Sequence, residues 1–145
     1  MWIRKQTQHT LIIILVLVFL LGCSQKTTEL ASTEWELISL EGKSLIEGTS
    51  ITLYYVDEHL GGEMGCNHYG GTPDSRKYSA TRDGALTLIP PFAVTVQLCT
   101  EPEGIMEQET AYIEALMNAA NFQIVNNRLE IENEAGETML IFQSK

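Results

Sequence analysis

The chain has 145 residues, and its 19 Asp and Glu residues outnumber its 9 Lys and Arg residues, for a net charge of −10 at pH 7. This length suffices for one small domain and argues against a multidomain enzyme. The acidic balance argues against nucleic acid as a partner, because proteins bind nucleic acid with Lys and Arg side chains that neutralise phosphates.

The first 22 residues have the layout of an export signal. Arg4 and Lys5 precede an apolar run at 11–21, which is shorter than the roughly 20 residues that a membrane-spanning helix needs. Cleavage before Cys23 would leave 123 residues, in which seven Lys and Arg face 19 Asp and Glu, a net charge of −12. We predict a signal peptide at 1–22. The alternatives are that this segment is an uncleaved membrane anchor, or that ordinary cleavage leaves Cys23 as a free thiol.

The tetrad Leu20-Leu21-Gly22-Cys23 resembles the lipobox of bacterial lipoproteins. The resemblance implies diacylglyceryl attachment to the Cys23 sulfur, cleavage before Cys23 and acylation of the new amino terminus. Several acyl chains on one residue make a lasting membrane anchor. Ser24 after the cysteine resembles the outer-membrane sorting pattern. We therefore expect an exported, lipid-anchored protein of the bacterial cell envelope, on the periplasmic side of the outer membrane if the cell has two membranes.

Residues 23–33 are predicted to be the lipidated cysteine and a flexible tether, followed by one folded domain at 34–145. Alternating apolar and polar residues predict strands in this domain. Asp83-Gly84 and Asn126-Asn127 are typical of tight hairpin turns. The predicted strands are 35–38, 51–56, 77–81, 85–89, 122–125, 128–132 and 139–143, and the last, apolar one is expected near the centre of the sheet.

One segment breaks the strand pattern and predicts a helix. Thr100 and Glu103 have the spacing of a capping box, and Pro102 suits a first helical turn. Residues at helical spacing define an apolar face opposite Glu107, Gln108 and Glu114: Ile105, Met106, Tyr112, Ile113, Leu116, Met117 and Ala120. The expected fold class is α+β, a mainly antiparallel, partly closed and barrel-like sheet with one amphipathic helix packed across it.

Four carboxylates, Glu101, Glu103, Glu107 and Glu109, fall early in the predicted helix. Negative charge is favourable near a helix N-terminus, so the helix dipole explains this cluster better than a metal site does.

The three cysteines divide into one anchor and one pair. With Cys23 lipidated, Cys66 and Cys99 remain in a compartment that permits disulfides. Closing a loop of this length would stabilise the domain by roughly 3 to 4 kcal/mol. Two buried, reduced cysteines are the alternative.

Residues 61–71 hold five glycines together with Cys66, Asn67, His68 and Tyr69. With residues elsewhere in the chain, this cluster resembles the META domain, the HslJ-like family, over roughly 34–142. The residues that carry the resemblance are Trp35, Leu37, Gly62, Gly65, Cys66, Asn67, Tyr69, Gly70, Thr95, Cys99, Glu109, Tyr112 and Leu116.

The resemblance implies a small, mostly β fold with one helix, often carried on bacterial lipoproteins, and no assigned reaction. Some relatives are associated with heat induction, novobiocin resistance or motility. We therefore expect a non-enzymatic interaction or stress-response module without cofactor. Its partner, an envelope protein or a small ligand, and its oligomeric state are unknown.

Two further functions remain open. Cys66 and Cys99 could serve a thiol-dependent enzyme or redox sensor, with His68 as base. Cys66, His68 and Cys99 could also be three zinc ligands, and His59 is the only other His of the mature chain for the fourth that a structural site usually has. However, Cys66 and His68 on one strand face would lie about 6 to 7 Å apart, too far for a direct bond. The acidic surface could instead bind a cationic ligand or basic partner. Asn67 is expected to supply a turn residue, and Tyr69 a core aromatic with a bonded hydroxyl.

Overall fold

The computed structural model describes residue 30 and residues 33–57, 59–70, 79–80, 84–87 and 93–145. The predicted signal peptide, Cys23 and most of the predicted tether lie outside these residues. Within the described ranges, no helix has the length and apolar character needed to cross a membrane.

The expected α+β fold class is confirmed: one helix packs across a mainly antiparallel sheet. The elements are β1 (Glu34–Leu40), β2 (Thr52–Val56), β3 (His59–Glu63), β4 (His68–Gly70), β5 (Ser79–Ala80), β6 (Leu86–Thr87), β7 (Ala93–Val94), α1 (Ile105–Met117), β8 (Asn121–Val125), β9 (Arg128–Glu132) and β10 (Thr138–Ser144).

Eight strands form one sheet in the order β7-β4-β3-β2-β1-β10-β9-β8. The sheet is not closed, since β7 and β8 are its two edges in the described part of the chain. The short β5–β6 ladder lies beside the β8 edge, where the Leu86 N–H donates to the Ala120 carbonyl at 2.9 Å. The edge formed by β7 lies at the opposite end of the sheet from β8.

The Asn126-Asn127 hairpin and the central strand expected from the sequence are present, whereas Asp83 of the other predicted hairpin lies outside the described residues. Asn126 and Asn127 join β8 to β9 with φ angles of 52° and 62°, which such a two-residue turn requires. Strand β10 lies between β1 and β9, and its residues Leu140 and Phe142 are fully buried. Ile141, between them on the other face, is partly buried, so the apolar run belongs to a strand with a neighbour on each edge and most of its side chains out of water.

The core lies between the sheet and α1. Trp35, Tyr112 and Leu116 are fully buried in it. Leu30, a residue of the predicted tether, is also buried, and its carbonyl accepts a hydrogen bond from the Trp35 indole N–H at 3.3 Å. The packed domain thus extends at least to Leu30, ahead of β1.

The predicted capping box is wrong. Helix α1 begins at Ile105 after Gly104, which has φ of 85°, and no side chain caps it. Thr100, Glu101 and Glu103 precede the helix, and the Glu101–Pro102 peptide bond is cis. Gly104 has a left-handed backbone conformation that only glycine adopts readily, and this conformation sets the start of the helix. It outweighs the Thr-to-Glu spacing of the predicted capping box.

The two faces of α1 also differ from the prediction. Gln108 is buried, because its Oε1 accepts the Ile46 N–H at 2.7 Å and its Nε2 donates to the Thr49 hydroxyl at 3.0 Å. Met117 is about half exposed, and the helix ends there, so Ala120 lies beyond it. Hydrogen bonds to the loop before β2, not hydrophobicity, bury Gln108.

Candidate functional site

The turn between β3 and β4 comprises Met64, Gly65, Cys66 and Asn67. The Met64 N–H donates to the Asn67 carbonyl at 2.7 Å and closes the turn. Gly65 has φ of 106°, a backbone conformation that side chains disfavour, so Gly65 and not Asn67 supplies the left-handed residue. This conformation directs the N–H groups of Cys66 and Asn67 towards α1.

Glu109 of α1 accepts three hydrogen bonds from this turn. Its Oε1 receives the Cys66 N–H at 2.7 Å and the Asn67 N–H at 2.6 Å, while its Oε2 receives the Asn67 Nδ2 at 2.8 Å. Both Glu109 and Asn67 are buried. The helix-dipole explanation is therefore wrong for Glu109, whose carboxylate is a buried acceptor that fastens the turn to the helix.

The Asn67 side chain also holds the segment that follows β7. Its Oδ1 accepts the Gln97 N–H at 2.7 Å and the Thr95 hydroxyl at 3.0 Å, and its Nδ2 donates to the Gln97 carbonyl at 2.9 Å. The Thr95 hydroxyl in turn accepts the His68 N–H at 3.0 Å. Asn67 is thus more than a turn residue, because its amide bonds to both backbone groups of Gln97 as a neighbouring strand would.

A disulfide joins Cys66 to Cys99, with their Cα atoms 6.1 Å apart. It ties the turn to the end of the segment that Asn67 holds. The candidate disulfide from the sequence is therefore present, and the alternative of two reduced cysteines is not what the structure contains.

Tyr69 and Tyr112 form a buried pair behind the turn, with 2.6 Å between their hydroxyl oxygens. Tyr69 is a core aromatic, as expected, and its hydroxyl donates to the Thr52 carbonyl at 3.0 Å. Because a carbonyl only accepts, the Tyr112 hydroxyl must donate to that of Tyr69. Burial raises the pKa of Tyr112 above its ordinary value.

A groove of about 420 Å³ lies between the segment after β7 and α1. Val96 beside it is fully exposed, and Leu98 is 81% exposed. Asn67 and Glu109, the two residues that fasten the turn, reach its surface. The groove is lined by Met64, Asn67, Val94, Thr95, Val96, Gln97, Met106, Glu109, Thr110, Ile113 and Glu114.

The residues proposed for thiol chemistry or zinc binding do not have the arrangement that either function needs. Both sulfurs are bonded to each other, and the His68 Nε2 lies 3.5 Å from the Glu63 carboxylate on the exposed surface. Across the described ranges, no three His, Cys, Asp or Glu residues are grouped as metal ligands would be. In this disulfide form neither cysteine offers a thiolate to a metal or a substrate.

The profile of the META domain family matches residues 28–145, which is more than four fifths of the chain. The chain belongs to the META domain family. Two solved structures, both determined by NMR, resemble this META domain at 21% sequence identity. One covers 79% of this chain and 90% of its own, with a TM-score of 0.58. The other, from Burkholderia xenovorans, covers 86% and 96%, with a TM-score of 0.56. They support the fold alone. No curated protein matches the sequence.

Most of the predicted motif residues meet around one point of this META domain. Gly65, Cys66, Asn67, Thr95, Cys99 and Glu109 form the fastened turn, and Tyr69 and Tyr112 lie directly behind it. Gly62 pairs with Tyr69 across β3 and β4, and Gly70 follows Tyr69 and pairs with Ala93 of β7. Trp35 is a core residue of β1 whose indole bonds to Leu30.

Two participants in this META domain site were not predicted from the sequence. Gln97 contributes its backbone N–H and carbonyl to Asn67, and Thr52 contributes its carbonyl to Tyr69. Both act through the backbone, so their side-chain types carry no signal of the role. Only the spacing of Gln97 between Thr95 and Cys99 could have drawn attention to it.

Proposed function

We propose that this META domain is a lipid-anchored, non-enzymatic interaction module of the bacterial cell envelope. The observation that carries the proposal is the edge of the sheet at residues 94–98, where Val96 and Leu98 are exposed beside the groove. Exposed apolar side chains next to a concave surface are typical of binding sites. The disulfide and Asn67 hold this edge in place, so binding there would cost little ordering of the protein.

The arrangement of Cys66 and Cys99 favours binding over thiol chemistry. A cysteine nucleophile needs a free thiolate within hydrogen-bond reach of its base. Here the sulfurs bond to each other, and the His68 ring lies beside Glu63. A thiol-dependent enzyme or redox sensor would have to break this disulfide before each reaction.

The location in the envelope rests on the sequence. The predicted export signal at 1–22 and the lipobox-like tetrad ending at Cys23 support lipid anchoring. A disulfide agrees with an oxidising compartment outside the cytoplasm. The HslJ-like subtype and a stress-response role stay predictions.

Crosslinking in intact cells tests the interaction role. A photoreactive amino acid replaces Val96 in the full chain, and the matched control carries it at Val125, an exposed valine of β8 at the opposite edge. We expect discrete protein adducts from position 96 that are missing from position 125. The same adducts from both positions, or none from position 96, would contradict the proposal.

Labelling with a radioactive fatty acid tests the anchor. Wild type should take up label and sediment with membranes, whereas Cys23→Ala should do neither. The variant with Cys66→Ala and Cys99→Ala should keep the label, because these cysteines are not the predicted lipid site. Label retained in Cys23→Ala would refute lipidation at this residue.

A further inference from the structure

Val94 and Val96 of the edge at residues 94–98 lie on the side of the sheet where α1 packs, and both side chains are exposed. Val94 lies directly opposite Tyr69 in the β4–β7 ladder, and directly opposite residues of an antiparallel pair share a face. Tyr69 touches Tyr112 of α1, so this is the helix side of the sheet. Val96 follows Val94 on the same face, because side chains alternate along an extended segment. Both valines line the groove against α1.

In the same segment, the backbone N–H and carbonyl groups on one side form hydrogen bonds within the domain, and those on the other side point outwards. The Thr95 N–H donates to the His68 carbonyl at 3.0 Å, and both backbone groups of Gln97 bond to Asn67. By the alternation of an antiparallel ladder, the N–H and carbonyl groups of Val94 and Val96 point away from β4. No described strand lies on that side, since β7 is the edge of the sheet. An edge of this kind can accept an added strand.

The charge around the groove selects the partner. Residues 93–118 contain five Glu and no Asp, Lys or Arg. Glu114 lines the groove, and its exposed carboxylate makes no hydrogen bond or ion pair with any residue in the described ranges. A second copy would bring its own exposed Glu114 against this edge, and the chain as a whole carries a net charge of −10, so charge disfavours pairing between copies. A basic partner has the complementary charge.

We propose that this edge binds an extended, basic segment of a partner protein as an added strand. The segment carries Lys or Arg on the face turned towards α1, where the aliphatic stem covers Val96 and the charged end reaches Glu114. Backbone hydrogen bonds to residues 94–98 supply the pairing, and the exposed carboxylate of Glu114 supplies the preference for basic side chains. This inference rests on the interaction role proposed above and names the chemistry of the partner.

Binding of short labelled peptides to the full chain, purified in non-ionic detergent, tests the inference by fluorescence anisotropy. The probe is an eight-residue peptide of four Val-Lys repeats. Its controls are four Val-Glu repeats and the Val-Lys peptide with alternate amides N-methylated. We expect N-methylation to weaken binding by about tenfold or more, because two or three backbone hydrogen bonds are lost. The acidic peptide should not bind. Equal binding of either control peptide would overturn the inference.

Matched variants locate the site. Glu114→Lys should weaken binding of the Val-Lys peptide by about five- to tenfold through charge reversal, while Glu134→Lys on the β9–β10 loop should not. Val96→Ser should weaken it by about five- to tenfold through lost apolar contact, while Val125→Ser should not. Equal effects within either pair would overturn the inference. A dimer of wild type that Val96→Ser dissociates in sedimentation would assign the edge to a second copy and overturn it as well.

The crosslinking experiment separates this inference from the proposed function. If the Val-Lys peptide fails to bind while position 96 still gives discrete adducts in cells, the basic-strand inference is wrong and the interaction role stands. If the peptide fails and position 96 gives no adducts, both are wrong. If the peptide binds with the expected pattern, both are supported.

Discussion

The Glu109 carboxylate on α1 and the side-chain amide of Asn67 in the β3–β4 turn meet at 2.8 Å, although 42 residues separate them in the chain. The same carboxylate takes the N–H groups of Cys66 and Asn67. Asn67 then bonds to Gln97, so one buried carboxylate indirectly positions the edge of the sheet beside the groove. Its charge is offset by three donors instead of a cation.

Glu109→Gln should destabilise the domain by about 2 to 3 kcal/mol, because an amide has one acceptor oxygen where the carboxylate has two and brings its own donors towards those of the turn. Glu107→Gln on the exposed side of the same helix should change stability by less than about 0.5 kcal/mol. Urea denaturation of both variants measures the difference. Equal stability of the two variants would show that the three hydrogen bonds contribute little.

Removing the disulfide with Cys66→Ala and Cys99→Ala should cost about 3 to 4 kcal/mol, because the unfolded chain gains freedom over the loop between them. Reduction of wild type should have a similar effect. In the native, unreduced protein neither cysteine should react with an alkylating reagent, as mass spectrometry after digestion can report. Alkylation of Cys66 or Cys99 without reductant would instead favour the thiol enzyme or redox sensor.

The stability of the domain should fall in alkali because of Tyr112. Burial raises its pKa above the ordinary value, which is about 10 in an unfolded chain. The folded state therefore holds the proton more tightly, so this contribution is complete below about pH 10 and is lost as the pH rises beyond it. Urea denaturation over this range should show a smaller alkaline loss in Tyr112→Phe than in wild type. Tyr54→Phe, which changes an exposed ring of β2, should show the wild-type loss.

Two glycines of the family motif should respond very differently to alanine. A Cβ on Gly62 would collide with the carbonyl oxygen of Thr52 on the neighbouring strand, whereas a Cβ on Gly70 meets its nearest atom, the Gly61 Cα, at 3.4 Å. Gly62→Ala should therefore cost more than about 3 kcal/mol and Gly70→Ala less than about 1.5 kcal/mol. Thermal unfolding ranks the variants. Similar losses of stability in both variants would mean that the conformational freedom of glycine, and not the space available for a side chain, explains why glycine occupies these positions.

The success of the sequence prediction depended on the range of the interaction. The Asn126-Asn127 hairpin and the central position of β10 follow from local turn chemistry and from an apolar run, and the structure has both. The start of α1 was predicted wrongly because a capping-box spacing competed with Gly104, and the local pattern did not decide between them. Gln108 was placed on the wrong face because its partners, Ile46 and Thr49, lie about 60 residues earlier in the chain.

By itself, the sequence determined the alternation of strands, the one amphipathic helix, the even pair of cysteines and the excess of negative charge, since each is written in local spacing or in composition. Only the tertiary structure decided that Glu109 is a buried acceptor for the turn, that Asn67 holds Gln97, and that Val96 stands exposed at an acidic sheet edge. The reason is physical. Whether a polar group is buried depends on partners that the fold brings from distant parts of the chain, and no local pattern records those partners.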